Sequence, residues 1–141
     1  MNKAIIPAAA LVLALAFGAV SQTHGSPKHR VVFQLTEPQG PAWDELVVHV
    51  DNLLANFAQD GGAQVEVVFF GTGLNMLRKT NTAYEKRLKN LVDHGVTLSA
   101  CRNSMGAMNL KTEDLFAFAS QVRAGVAEVV RKQEAGWAYI H

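Results

Sequence analysis

From residue 30 onward, short apolar runs alternate with amphipathic stretches, and this alternation constrains the fold more than any other feature of the chain. The first three runs are almost continuously apolar and rich in β-branched residues, which is typical of strands buried on both faces. Two shorter runs near the end of the chain extend the pattern. The five predicted strands cover residues 30–36, 64–70, 96–101, 120–123 and 137–140.

The stretches between these runs carry helical periodicity. The clearest is an apolar face at a period of 3.6 residues, formed by Trp43, Leu46, Val47, Val50, Leu53, Leu54 and Phe57. Thr82 followed by Glu85 is a capping box that predicts the start of a second helix, and Gly95 is suited to end it. Residues 102–111 are expected to form a loop. Shorter helical turns are expected at 74–77 and 112–118, and a last helix follows around 126–130.

Alternating strands and helices predict an α/β fold with a mainly parallel sheet covered by helices. A chain of 141 residues is long enough for one such domain. Binding sites in open α/β sheets gather where the carboxyl ends of the strands meet. Three segments should therefore converge at this edge: 36–38, 71–73 and 101–103.

The first residues are typical of a signal peptide rather than of the folded domain. Lys3 provides a positive start, and an uncharged apolar run of 17 residues follows at 4–20. Small residues suited to cleavage follow at Ala16, Gly18, Ala19 and Ser21. We expect cleavage after about residue 21, with 26 as the latest end. An uncleaved anchor is the alternative, but Pro7 interrupts the run and a span needs roughly 20 residues. Export predicts a periplasmic protein with no membrane contact after cleavage.

Charge and motif content exclude several functional classes. There are 13 basic and 12 acidic residues and no basic stripe, so a nucleic-acid partner is not expected. The single cysteine excludes an internal disulfide, and no zinc, phosphate-loop or serine-hydrolase motif is present. We therefore expect no cofactor and no bound metal.

Cys101 is the candidate reactive residue, because it ends a predicted strand at the carboxyl edge of the sheet. A neighbouring guanidinium from Arg102 would favour the thiolate, while Asn103 and Ser104 could donate hydrogen bonds to a bound anion or a terminal sulfur. The alternative is a buried structural cysteine, which is equally well supported. His94 precedes the same strand and should lie at the opposite end of the sheet.

Two further patterns each have a functional and a structural interpretation. Gly71, Thr72 and Gly73 could form a backbone nest for thiosulfate or sulfite, although a tight strand-to-helix turn is the favoured interpretation. Cys101, Met105 and Met108 form a set of soft ligands that could bind copper(I), although methionines are more often apolar filler.

Several segments, taken in order, resemble the DsrE/DsrF-like family. The residues around the cysteine, Gly95-Val96 and Ala100-Cys101-Arg102-Asn103-Ser104, resemble that family's cysteine segment. The other matching segments are His29–Phe33, Val65–Val68 with Gly71–Gly73, and Ala124–Glu128 with Gln133–Ile140, the last pair resembling the ending of exported members. The resemblance covers roughly residues 29–141.

The resemblance implies a three-layer α/β/α sandwich with a parallel sheet, assembled as a homo-oligomer, a trimer or hexamer. It also implies that Cys101 carries sulfane sulfur as a persulfide, received from a donor protein or passed to an acceptor protein. We therefore expect a periplasmic sulfur carrier or sulfurtransferase-like protein with Arg102 and Asn103 in support. A non-catalytic oligomeric module that binds a small anion or a protein partner is the alternative. A carrier need not turn over, so the sequence does not decide whether the protein is an enzyme. Export separates this chain from the family's cytoplasmic relays.

Overall fold

A computed structural model describes residues 27–141, and these residues form five parallel strands and four α-helices. The strands are β1 (His29–Leu35), β2 (Ala63–Phe69), β3 (Thr97–Cys101), β4 (Ser120–Val122) and β5 (Ala138–Ile140). The helices are α1 (Pro41–Phe57), α2 (Thr82–Asp93), α3 (Arg102–Ala107) and α4 (Gly125–Glu134). Short 3-10 segments lie at Gly71–Leu77 and Thr112–Asp114.

The sheet has the strand order β4-β3-β2-β1-β5, and every neighbouring pair is parallel. The chain adds strands in one direction from β1 to β4. Helix α4 then carries it back across the sheet to β5, which pairs with β1. The prediction of an α/β fold with a mainly parallel five-stranded sheet is therefore confirmed.

Alternation along each strand divides the apolar side chains between two faces of the sheet. On one face, strand residues such as Phe33, Val67 and Leu98 pack with α1 and α2 in the larger core cluster. On the other face, Val32 and Val68 pack against Val129 of α4. Helices therefore cover both faces, which gives the three layers that the resemblance implied.

Helix α1 buries the face that its periodicity predicted. Trp43, Leu46, Val47 and Val50 are buried, and the indole N–H of Trp43 donates to the carbonyl of Glu37 at 2.9 Å. This bond satisfies the polar atom of a fully buried ring and ties the helix start to the segment that follows β1.

Two local predictions were wrong. Thr82 is the first helical residue of α2 rather than its cap, because Asn81 occupies the capping position. Residues 102–107 form helix α3 instead of a loop. The helix forms because Met105 is buried in the larger core, and Leu110 N–H closes its end on the Met105 carbonyl at 2.8 Å.

The predicted signal peptide, residues 1–21 with its end by about 26, lies outside the described residues and stays a prediction. Among residues 27–141, no helix is long and apolar enough to cross a membrane.

Candidate functional site

The three strand ends predicted to converge do meet at the carboxyl edge of the sheet. After β1, the carbonyl of Thr36 accepts the N–H of Gly73 at 3.0 Å and the hydroxyl of Thr72 at 2.7 Å. After β2, the N–H of Gly71 donates to the hydroxyl oxygen of Ser104 on α3 at 2.9 Å. These bonds connect the ends of β1, β2 and β3 into one continuous edge.

The glycine segment 71–73 is a tight strand-to-helix turn, the interpretation that the sequence favoured. A Cβ on Gly73 would lie 2.3 Å from the Leu35 carbonyl oxygen, so only glycine fits. Gly71 adopts φ of 54°, in the left-handed region. The N–H groups of both glycines already donate to protein oxygens, so an anion nest would have to compete with them. Substrate binding by Gly71, Thr72, Gly73 and Ser104 stays a prediction.

Cys101 is the last residue of β3, and its side chain lies beneath the start of α4. It stands beside Val122 in the sheet, on the face that α4 covers. The N–H of Gly125, the first residue of α4, donates to the Cys101 sulfur at 3.2 Å. This N–H belongs to the first turn of the helix and has no carbonyl partner within it. The residue is only 4% exposed, so the thiol is covered in the isolated chain.

Opposing effects set the pKa of the Cys101 thiol. Burial raises it, but hydrogen bonds from the Ser104 hydroxyl and from the backbone N–H groups of Ser104, Gly125 and Asn103 lower it by more. The net pKa is below the usual value for cysteine. Hydrogen bonds that favour the charged form thus overcome the desolvation of the thiolate. The site therefore stabilises the ionised form that attacks sulfur.

Ser104 connects the glycine turn to the thiol. Its oxygen accepts the Gly71 N–H, which leaves its own proton for the Cys101 sulfur. The sequence assigned Ser104 to a bound anion or terminal sulfur, and the structure places it beside the thiol itself. Asn103 lowers the thiol pKa through its backbone N–H.

The sequence predicted that the Arg102 guanidinium would favour the Cys101 thiolate, and the structure gives this side chain a different setting. Its side chain is exposed and lines a groove of about 390 Å³ together with Met105, Lys111 and Gln121. The groups that shift the pKa of the Cys101 thiol are neutral hydrogen-bond donors, and the Arg102 guanidinium is not one of them. The expected electrostatic support of the thiolate therefore comes from backbone and hydroxyl groups instead.

Gly125 is the site residue that sequence reasoning missed. It lies 24 residues after Cys101. A Cβ on Gly125 would lie 2.7 Å from the ring of Phe70, so the absence of a side chain lets α4 approach the thiol. A glycine before an amphipathic helix was the only signal in the sequence, and it does not identify a partner.

The soft-ligand set is divided between two environments. Met105 is 5% exposed and belongs to the larger core, and Met108 packs against the same cluster. The Cys101 sulfur instead accepts a hydrogen bond from α4. This arrangement favours the apolar-filler interpretation of the methionines. Within residues 27–141, no group of three or more His, Cys, Asp or Glu side chains could hold a metal ion.

His94 is exposed and follows α2, immediately before the segment that enters β3. Cys101 lies at the other end of that strand. The prediction that His94 is too distant to act as a base for the thiol agrees with this placement.

The protein is thus a small α/β domain with an all-parallel sheet and a hydrogen-bonded cysteine at the carboxyl end of β3. The chain belongs to the DsrE/DsrF-like family, whose model matches residues 29–141. This match confirms the family that the sequence resembled.

Two solved structures are similar to this chain. MTH1491 from Methanobacterium thermoautotrophicum, a protein of unknown function, is 34% identical with a TM-score of 0.75, and the match covers 79% of this chain and 97% of that one. The ychN protein from E. coli has a TM-score of 0.59 at 9% identity, covering 79% of this chain and 96% of that one, and it shows the fold alone. No curated protein matches the chain.

Proposed function

We propose that the protein is a sulfur carrier that holds sulfane sulfur as a persulfide on Cys101. The observation that carries this proposal is the set of hydrogen-bond donors around the Cys101 sulfur, which lowers its pKa despite burial. The resemblance to a family that contains sulfur-transfer proteins supports the same conclusion. Donors that stabilise a thiolate also suit the anion of a persulfide, which carries its charge one atom further out.

The proposed chemistry exchanges one sulfur–sulfur bond for another. The Cys101 thiolate attacks the outer sulfur of a donor persulfide, R–S–SH. The donor's S–S bond breaks as the new bond to Cys101 forms, so R–S⁻ leaves and Cys101–S–SH remains. An acceptor thiolate then attacks the outer sulfur of Cys101–S–SH and regenerates the Cys101 thiolate. Each step conserves charge and protons and requires no oxidant.

Arg102 and Asn103 act in support in this proposal. The exposed guanidinium of Arg102 and the ammonium of Lys111 line the same groove beside α3. The carboxylate of Glu113 also lines this groove, so its lining carries one net positive charge. That charge would attract a negatively charged donor or acceptor to the carboxyl edge. Asn103 contributes its backbone N–H to the thiolate.

Burial of the thiol favours a second candidate function. A cysteine that is 4% exposed suits a non-catalytic module that binds a small anion or a protein partner at the same edge. In this alternative, thermal stabilisation by thiosulfate or sulfite survives Cys101→Ser. In the carrier, sulfur loading does not survive that substitution.

We also propose that the protein acts in the periplasm as a homo-oligomer after removal of residues 1–21. Exposed apolar side chains support a subunit contact, notably Val126 at 62% and Val130 at 45% on one face of α4, with Tyr139 and Ile140 on the edge strand β5. Light scattering of the purified protein tests the assembly. N-terminal sequencing of the exported protein tests cleavage.

The experiment that tests the carrier is the intact mass of the protein after incubation with polysulfide, beside Cys101→Ser. We expect the wild type to gain one or more sulfur atoms that a reductant removes, and the variant to gain none. Cys101 is the chain's single cysteine, so any adduct lost in the variant belongs to it. The absence of an adduct, with a thiol that also resists alkylation in the native state, would overturn the proposal in favour of the binding module.

A further inference from the structure

Three residues of helix α4 that contact the sheet or the Cys101 sulfur lie on one face of the helix. Gly125, Val129 and Lys132 stand at i, i+4 and i+7, the spacing of a single helical stripe. Gly125 donates to the Cys101 sulfur, and Val129 packs on Val32 and Val68. The third contact is an ion pair, with the Lys132 ammonium 2.5 Å from a carboxylate oxygen of Glu66 on β2.

The ion pair is enclosed and its groups are well satisfied. The Glu66 side chain is 5% exposed and that of Lys132 is 22% exposed. The hydroxyl of Ser99 donates to the other Glu66 oxygen at 2.6 Å, so both oxygens have partners. The Lys132 ammonium also lies 4.0 Å from the centre of the Trp137 ring and 3.8 Å from a carboxylate oxygen of Glu128.

An ion pair of this kind fixes the position of α4 on the sheet more than it stabilises the fold. Removing two charges from water offsets most of their attraction, so an apolar pair of similar volume would stabilise the fold about as well. An ion pair with an added hydrogen bond does, however, define one geometry, whereas valine contacts tolerate sliding. The small apolar cluster around Val129, to which Phe70, Val122 and Trp137 add partly buried side chains, would by itself define the position of α4 less sharply.

Building on the proposed function, we infer that Lys132 and Glu66 are positioning residues, which fix α4 so that the Gly125 N–H stays on the Cys101 sulfur. Lys132 lies seven residues after Gly125, about 10 Å along the helix. Both ends of this stripe belong to one continuous helix, so a slip at Lys132 is transmitted to Gly125. A hydrogen bond of 3.2 Å to sulfur is sensitive to such a slip.

The same pair determines how well the thiol is covered. The start of α4 lies over Cys101, and the Gly125 backbone packs closely on the Phe70 ring. A donor or acceptor sulfur reaches the Cys101 sulfur once this part of α4 moves aside. Lys132 and Glu66 thus act on both the ionisation and the accessibility of the thiol, without contacting it.

The test is the rate of Cys101 alkylation by iodoacetamide as a function of pH, in the wild type and in Lys132→Met. The midpoint of the pH profile should rise by about one pH unit in the variant, because a hydrogen bond to a charged group changes ionisation about tenfold. The plateau rate at high pH should increase several-fold, because α4 covers the thiol less. Lys132→Arg, which keeps the charge, should restore most of both properties.

Arg131→Met is the matched control, since Arg131 lies on the same helix, pairs only with Glu128 among the described residues, and is exposed. Its profile should equal that of the wild type. A folded Lys132→Met protein with an unchanged midpoint and plateau would overturn the inference, even if its stability falls.

If Lys132→Met fails to fold, Glu66→Gln provides the same test and the same refuting result, because the amide still accepts from Ser99. Iodoacetamide reacts with any accessible thiolate. The result is therefore independent of whether Cys101 carries sulfur.

Discussion

Replacement of Ser104 by alanine separates the hydroxyl donor from every other contact of the thiol. The Ser104 oxygen accepts the Gly71 N–H at 2.9 Å, and the Ser104 hydroxyl lowers the pKa of the Cys101 thiol. Alanine fits the short helix α3 and keeps the backbone N–H groups of Asn103 and Ser104 in place. We expect Ser104→Ala to fold and to raise the pKa of the Cys101 thiol toward its ordinary value.

The size of the effect follows from one hydrogen bond to a charged group. Such bonds are worth about 1.5–3 kcal/mol, and the low end applies because sulfur is a weak acceptor. A loss of about 1.5 kcal/mol corresponds to a thiol midpoint about one pH unit higher. The Gly71 N–H also loses its acceptor. Because this N–H lies near solvent, the resulting loss of folding stability should be at most about 1 kcal/mol at any pH.

The loss of stability caused by Ser104→Ala should grow as the pH rises. The folded-state pKa of Cys101 lies below its unfolded value, so the thiol contributes its full stability above an unfolded pKa of about 8.5. That contribution is lost as the pH falls through the folded pKa. The stability difference between wild type and Ser104→Ala should therefore be larger at pH 9 than at pH 6.

Urea unfolding at the two pH values, together with the pH profile of alkylation, measures both quantities. Ser120→Ala is the matched control, because this serine also has a hydroxyl in hydrogen bonds, to the Leu98 carbonyl and to Ser99, that do not involve Cys101. The control should lose stability equally at both pH values. If Ser104→Ala leaves the midpoint of the thiol profile unchanged, the assignment of the hydroxyl as a donor to Cys101 is wrong.

Three further substitutions test the framework around the site, each measured by urea unfolding. Gly73→Ala should destabilise the protein by about 3 kcal/mol, because its Cβ would lie 2.3 Å from the Leu35 carbonyl oxygen; a loss below about 1 kcal/mol would contradict this tight turn. Trp43→Ala should cost about 4 kcal/mol, since the ring is fully buried, and a small loss would mean that α1 packs elsewhere. Lys89→Ala should change stability by less than about 0.5 kcal/mol, because its pair with Asp93 is exposed; a larger loss would show that this surface is more ordered.

The sequence was sufficient for the fold because the decisive signals are periodic. The stripe from Trp43 to Val50 has one interpretation as a helix face, and the buried strands are long enough to identify. Parallel topology then places all strand ends at one edge. The meeting of segments 36–38, 71–73 and 101–103 follows from that rule without knowledge of any side chain.

Details of the site could not be predicted from the sequence because they depend on tertiary contacts. The bond from Gly125 to Cys101 joins residues that no local pattern relates. Arg102 is adjacent to the cysteine in the chain, yet its side chain extends into an exposed groove. Helix α3 is only six residues long and contains a glycine, so burial of Met105 determines its structure more than its own propensity does.

The path of the chain also sets the order in which the site can be assembled. Strand β5 pairs with β1 across almost the whole described chain, as in the register of Val31 with Ala138. Contacts between such distant segments form late, because closing a long loop carries a large loss of entropy. Helix α4 leads directly into β5, so the docking of α4 on the sheet is coupled to this late pairing. Until then Cys101 lacks both the Gly125 N–H and the cover that α4 provides, so a nascent chain ending before residue 125 would present an uncovered thiol that keeps only its donors on α3.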